Sequence, residues 1–236
     1  MALPVLNAAK YKTVVPSLNI EVEYRPYLVK EEKILMIALE SQDQKQILIA
    51  IKDVIRNCVF DDIDVNKLTM FDLEALFLKL RSKSVGETTE VKAKCEHCET
   101  ENKRVIKFDD IRMPVVDRKS STIALTDTVG LTLSYPKVSD IEKHEDTDNA
   151  NSIDGMMEIM IDCIDSIYDA NDVYSAKDSK REELKDFIDS LNSEQFALVT
   201  NYFQELPSLK YNLEFKCDKC EEDNSIVLRG LENFFG

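Results

Sequence analysis

The sequence predicts an α+β protein, mainly helical, in which a zinc-ribbon-like pair of β-hairpins closes a long helical insertion. Three observations predict it. Cys95-Glu-His-Cys98 recurs as Cys217-Asp-Lys-Cys220, so four of the six cysteines stand in two matched pairs. Residues on either side of each pair alternate between apolar and polar, as half-buried strands do. Most other apolar residues follow helical spacing in stretches rich in Lys, Glu, Gln, Ala and Leu.

Composition narrows the function classes. With 236 residues the chain can bury a real core as one large or two modest domains. No run reaches the roughly 18 apolar residues that span a membrane, so no membrane partner is expected. The start, Met1 to Asn7, lacks the cationic and apolar blocks of a secretory signal. Paired cysteines in such a chain favour metal over disulfides and a reducing cytoplasm. A net charge of −15 argues against nucleic acid as the main partner. The charge is concentrated: residues 139–191 hold 16 Asp or Glu against 5 Lys or Arg. That stretch reads as a solvated helical face or as a docking surface for a basic partner.

In chain order, residues 1–16 show no clean period and contain Pro4 and Pro16, so they read as an arm or loop. Leu18, Ile20, Val22 and Tyr24 alternate with polar residues, a strand ended by Pro26. Lys30–Glu40 and Gln46–Arg56 are apolar nearly all round, which predicts two helices placed centrally in the core. Thr69–Lys83 is a third helix, with Thr69 as N-cap and Asp72 at the third position. Thr88–Lys94 and Asn102–Phe108 flank the first cysteine pair as strands. Leu131, Leu133 and Tyr135 alternate like a short strand after Gly130. Ser139 with Glu142 resembles a capping box opening a short helix, and His144–Asn151 reads as a polar loop. Ile153–Tyr168 has helical spacing throughout. Lys180–Leu191 and Ser193–Leu206 are two further helices. Leu209–Lys216 and Ser225–Arg229 flank the second pair, and Phe234 and Phe235 at the C-terminus are expected to tuck into the fold.

The two cysteine regions repeat beyond the sulfurs. Val91-Lys-Ala-Lys-Cys95 matches Leu213-Glu-Phe-Lys-Cys217, and Cys98-Glu-Thr-Glu-Asn102 matches Cys220-Glu-Glu-Asp-Asn224. Each copy is a strand, a Cys-X-X-Cys turn and a strand. Cys95, Cys98, Cys217 and Cys220 would therefore close a tetrahedral zinc shell and pin the ends of residues 99–216. A shell of four sulfurs leaves no open position for water, so the zinc is structural. Free thiols or redox dithiols are the rival reading, but neither pair opens a helix after a buried strand. His97 lies between two ligands and reads as a solvent-facing turn residue. Cys58 and Cys163 sit in apolar patterns as small core residues. Two histidines and five glycines supply no triad, metallohydrolase set or phosphate-cradling loop. Asp162, Asp165 and Asp169 lack the glycine turn of a calcium loop. No enzyme is expected.

Tyr24-Arg-Pro-Tyr-Leu-Val-Lys-Glu-Glu-Lys-Ile-Leu35, with the preceding strand and the helices through about Leu80, resembles the baseplate proteins of T-even-type contractile-tailed phages, and within them the hub-assembly members. The resemblance implies a non-enzymatic late protein, a baseplate hub protein or hub-assembly chaperone, with hub or tape-measure proteins as partners. It implies the host cytoplasm during assembly, or the virion tail baseplate, as its location. Arg25 would pair with Glu31 or Glu32. The expected organisation is a strand and helical region over 1–87, the zinc ribbon over 88–108 and 209–230, and an acidic helical insertion over 117–206. The rival function is a zinc-ribbon regulator binding nucleic acid or polymerase. It is weighed by Lys92, Lys94, Lys103, Arg104 and Lys107 on the first hairpin against Glu214, Asp218, Glu221, Glu222 and Asp223 on the second.

Overall fold

A computed structural model describes residues 8–113, 116, 121–145 and 153–235. In chain order they form β1 (Tyr11–Val15), β2 (Ile20–Tyr24), α1 (Val29–Ser41), α2 (Gln44–Cys58), α3 (Met70–Ser84), β3 (Thr88–Lys94) and β4 (Glu101–Lys107). Then follow β5 (Thr122–Ala124), β6 (Gly130–Leu133), α4 (Val138–Glu145), α5 (Ile153–Asp162), β7 (Ile164–Tyr168) and β8 (Val173–Ser175). The chain ends with α6 (Arg181–Asp189), α7 (Ser193–Gln204), β9 (Lys210–Lys216), β10 (Asp223–Arg229) and α8 (Glu232–Phe235).

The mixed class holds, but the expectation of a mainly helical protein does not. Helix takes 42% and strand 27% of the described residues, with their strands in four small sheets. Nor is the insertion helical throughout, because it carries the antiparallel sheet β5-β6-β7-β8. The spacing found β6 through Leu131 and Leu133, but the three-residue strands β5 and β8 are too short for a period to show. The expected long helix Ile153–Tyr168 stops at Asp162, and Ile164–Tyr168 is β7. Its apolar residues continue a helical spacing by coincidence; β-branched and aromatic side chains paired by strands on both sides decide the outcome. Part of the expected arm is also strand. β1 pairs with β2 from Tyr11↔Tyr24 to Val15↔Ile20, and Asn19, at φ 53°, turns the chain between them. Residues 1–7 and 146–151 of the expected arm and loop lie outside the described residues.

The chain divides into two compact units. The first draws on Met1–Val65, Phe71–Val115 and Ser208–Gly236. One of its cores joins Leu78 of α3 to Val91, Ile106, Leu213, Phe215 and Leu228 of the two hairpins and to Phe234 of α8. Of the two C-terminal aromatics, Phe234 is buried as expected, while the side chain of Phe235 lies outside the described residues; Thr89 Oγ1 donates to the Phe234 carbonyl at 3.1 Å. Arg25 reaches Glu31 Oε1 at 2.9 Å, while Glu31 Oε2 accepts the Leu28 amide and caps α1. Asp72, fully buried in the first turn of α3, receives both the amide and the hydroxyl of Ser17. Helix α2 buries Ala50, Ile51, Val54, Ile55 and Cys58 as a central element. Helix α1 does not: it buries only Glu31, Leu35 and Ala38.

The second unit draws on Asn66–Met70 and Val116–Pro207. Its core packs Leu131 and Leu133 of β6, Met160 and Ile161 of α5, Ile164 of β7, Leu184 and Ile188 of α6 and Val199 and Tyr202 of α7. At Gly130 the strands close up so far that an added Cβ would sit 2.4 Å from the Ile123 carbonyl oxygen. Helix α4 opens with the Lys137 amide on Asp140 Oδ2, rather than with the expected Ser139–Glu142 box. Asp162 at the end of α5 gathers Lys143 and His144 of α4, at 3.0 and 2.8 Å, together with Arg181 of α6. Arg181 also bonds Glu158 one turn earlier in α5.

Candidate metal centre

Hairpins β3–β4 and β9–β10 are built on one plan. In the first, Thr88 pairs with Lys107 and Lys94 with Glu101; in the second, Lys210 pairs with Arg229 and Lys216 with Asp223. Alternation sets Val91, Ala93 and Ile106, and likewise Leu213, Phe215 and Leu228, on the buried side. At each tip the first cysteine carbonyl accepts the amide four residues on, Glu99 at 2.9 Å and Glu221 at 3.1 Å. Glu99 and Glu221 sit at φ 57° and 60°, a left-handed turn that usually selects glycine. The turn also points the amides of His97 and Lys219 at the sulfurs of Cys95 and Cys217, at 3.4 Å each.

The tips meet. Cys95 Sγ lies 3.6 Å from Cys220 Sγ, and Cys98 Sγ lies 3.6 Å from Cys217 Sγ. All four sulfurs fall within 4.8 Å of one another. A disulfide would need about 2 Å, whereas four thiolates at 2.3 Å from a central zinc stand about 3.8 Å apart. The cage therefore fits a tetrahedral ion. Cys95 and Cys217 are buried, Cys98 and Cys220 partly exposed, so one side of the cage faces solvent.

Its electrostatics favour a cation. The amides of Cys220 and Lys219 hold the Cys217 thiol down at about 6, and the hydroxyl and amide of Thr100 lower Cys98. Cys220 is pushed up to about 12: the Glu222 amide draws it down, but desolvation and the neighbouring sulfurs outweigh that. The protons leave the cluster in steps, because each new thiolate opposes the next. A divalent ion removes that opposition.

Three side chains outside the sulfur shell lock the hairpins together. Buried Asn102 on β4 accepts the Asp218 amide at 2.8 Å, and buried Asn224 on β10 accepts the Glu96 amide at 2.9 Å. Arg104 grips Asp218 through both guanidinium nitrogens, at 3.0 and 2.7 Å, and donates to the Lys216 carbonyl. The repeat placed both asparagines in matching positions, but their crossed bonding was not legible in one dimension. The four sequence-predicted ligands converge, and His97 stays exposed on its turn. Cys58 and Cys163 are fully buried and not among the clustered sulfurs, their thiols raised by burial to about 11 and about 12. Asp165 and Asp169 do not join Asp162: they lie on β7 and in the turn after it, where Asp169 accepts the amides of Asn171 and Asp172.

Among protein families, residues 8–236 match the one described as T4 bacteriophage base plate protein. No curated protein and no solved structure matches the chain.

Proposed function

The chain belongs to the T4 bacteriophage base plate protein family, and from that premise we propose that it is a baseplate hub protein or hub-assembly chaperone. It acts by protein–protein recognition, and its cysteine cage holds a structural zinc. The family match over nearly the whole chain carries the reading. Its partners are other baseplate proteins, with hub or tape-measure proteins as the specific candidates. It works in the host cytoplasm during assembly or within the tail baseplate. Among the described residues no helix is long and apolar enough to cross a membrane.

Zinc is supported by the sulfur spacing and by the closed donor set of Cys95, Cys98, Cys217 and Cys220. With four sulfurs bound, the metal supplies architecture and has no position for a reacting water. Backbone pairing of Arg112 with Lys210, at 2.8 and 3.2 Å, already draws the two ends of the insertion together. A zinc between the hairpins would fix the same closure at their tips. The acidic stretch 139–191 is the candidate docking surface for a basic partner.

Charge around the ribbon weakens the regulator reading. Arg104 is held by Asp218, Lys103 by Glu90 at 2.9 Å and Lys92 by Glu101 at 3.8 Å. Much of the basic face that would meet phosphates is thus neutralised within the chain. Affinity purification from infected cells tests the proposal: baseplate hub or tape-measure proteins are the expected companions. Recovery of no tail protein, together with salt-sensitive DNA binding, would overturn it. Elemental analysis of the purified chain should find one zinc per molecule.

A further inference from the structure

Helix α1 faces the fold with one side only. Glu31, Leu35 and Ala38 are its buried residues. At about 100° per residue, Val29, Lys33, Met36, Ile37 and Glu40 occupy a sector roughly 100° wide on the opposite side. Val29 is 65% exposed, Met36 56% and Ile37 67%. Ile34 and Leu39 extend the apolar surface to either flank, at 39% and 48%. This is an apolar stripe on an exposed helix, with Lys33 and Glu40 along its middle and Lys30 and Glu32 toward its flanks. Soluble chains leave such patches mainly where something covers them.

We propose that a second copy of the chain covers it, through an antiparallel α1–α1 contact. The order of residues carries the argument. A two-fold axis between Met36 and Ile37 sets Met36 of one copy against Ile37 of the other. The same axis sets Lys33 against Glu40, and it does so twice, because a two-fold contact is self-complementary. A parallel arrangement would instead bring Lys33 toward Lys33 and Glu40 toward Glu40. The charge order therefore selects the antiparallel pairing, while Met36 and Ile37 supply the apolar burial. With that axis, residues 32–41 of the two α1 helices face each other over about 15 Å. A seam of that length is small among stable interfaces, so the dimer should dissociate in the micromolar range.

Sedimentation velocity on the full chain, from about 1 to 200 µM, tests this. The wild type is expected to pass from monomer to dimer across that range. Ile37→Glu, Lys33→Glu and Glu40→Lys should each weaken the dimer at least about tenfold, since each puts a charge into the seam or a repulsion across it twice. The double variant Lys33→Glu/Glu40→Lys reverses both charges of each pair and should recover to within about threefold of wild type. All three positions are exposed, so the circular dichroism and melting of every variant should match the wild type. A wild type that stays monomeric throughout overturns the proposal and leaves the face to another protein. A double swap no better than its single parents overturns the antiparallel register. Should Ile37→Glu fail to fold, the charge variants alone decide.

Discussion

Asn102 and Asn224 hold each other's hairpins. Each occupies the same place in its own hairpin, and each turns its carboxamide oxygen to a backbone amide of the opposite cysteine turn, at 2.8 Å to Asp218 and 2.9 Å to Glu96. Their amide nitrogens bond the carbonyls of Thr100 and Glu222, at 2.8 and 2.9 Å, so each asparagine also braces its own turn. The two asparagines thereby frame the sulfur cage from both hairpins.

Replacing Asn102 with Ala removes a buried acceptor and a buried donor together. The Asp218 amide and the Thr100 carbonyl lose their partner, which should cost about 2–3 kcal/mol in chemical denaturation. Zinc should still bind, because all four sulfurs remain, but about 10–100-fold more weakly against a competing chelator. Asn224→Ala should behave alike. Unchanged zinc affinity in both variants would show that the frame does not position the ligands.

Cys217→Ser should abolish tight zinc binding and lower the melting temperature of the first unit, not merely loosen one turn. Metal stabilises only the folded arrangement of both hairpins, so its loss returns that binding free energy to the folding equilibrium. Treating the wild type with a chelator should reproduce the shift. A variant that loses zinc and keeps its melting temperature would show that Arg104, the asparagines and the shared apolar core suffice without the clasp.

The sequence made the site far more legible than the fold. The meeting of the four cysteines was readable because a cysteine pair fixes its own tight turn, and because the repeat carried matching strands around each pair. Arg25–Glu31 was readable because the two groups lie close along the chain. What failed were features decided by distant neighbours. Ile164–Tyr168 becomes a strand only because β6 and β8 lie on either side of it. Lys30–Glu40 looked central because its apolar residues surround the helix, yet only one side is covered. Composition records what a helix could bury, not what the fold brings to cover it. The crossed asparagines and the Arg104–Asp218 grip depend on two hairpins more than a hundred residues apart, which no local pattern reports.

Acid should unlock the second unit through Asp162. Burial alone would raise this carboxyl, but bonds from Arg181, His144 and Lys143 outweigh it and hold the group down at about 2, against an ordinary value of 3.8. A depressed folded-state value means stability that is present above the ordinary value and lost as pH falls through the folded one. The difference amounts to about 2 kcal/mol, withdrawn between about pH 4 and pH 2. Asp162→Asn should therefore be destabilised relative to wild type near neutrality, and the two should converge toward pH 2. Parallel denaturation curves across that range check it; a constant gap would show that the effect is not titration of this carboxylate.

Gly130→Ala should destabilise the second unit by at least about 2 kcal/mol, as overpacking of a close approach does. Its backbone angles are ordinary, so the cause is space. The new methyl would meet the Ile123 carbonyl at 2.4 Å and the Tyr168 hydroxyl at 2.2 Å. The tyrosine could swing aside, but the carbonyl belongs to the neighbouring strand and cannot move without breaking the β5–β6 pairing. Thermal denaturation should show the loss, and Gly130→Ala/Tyr168→Phe should recover only part of it.

Tyr202 offers the opposite case, a substitution expected to stabilise. Its ring stacks on Tyr135, with centroids 6.1 Å apart, and meets Phe203 edge-on at 5.2 Å. Its hydroxyl, however, is buried without a hydrogen-bond partner among the described residues. Burial pushes its pKa well above the ordinary tyrosine range, because a phenolate there would lose its hydration. Tyr202→Phe keeps the ring contacts and removes an oxygen that gave up its hydration for nothing in return. The variant should gain about 1 kcal/mol, within the range for an unmet buried hydroxyl. Tyr202→Leu should lose stability instead, since it discards the stacking and leaves a void. Denaturation of the three proteins side by side decides the point: if Phe proves less stable than Tyr, the hydroxyl has a partner, and a bound water within the core would be the first place to look.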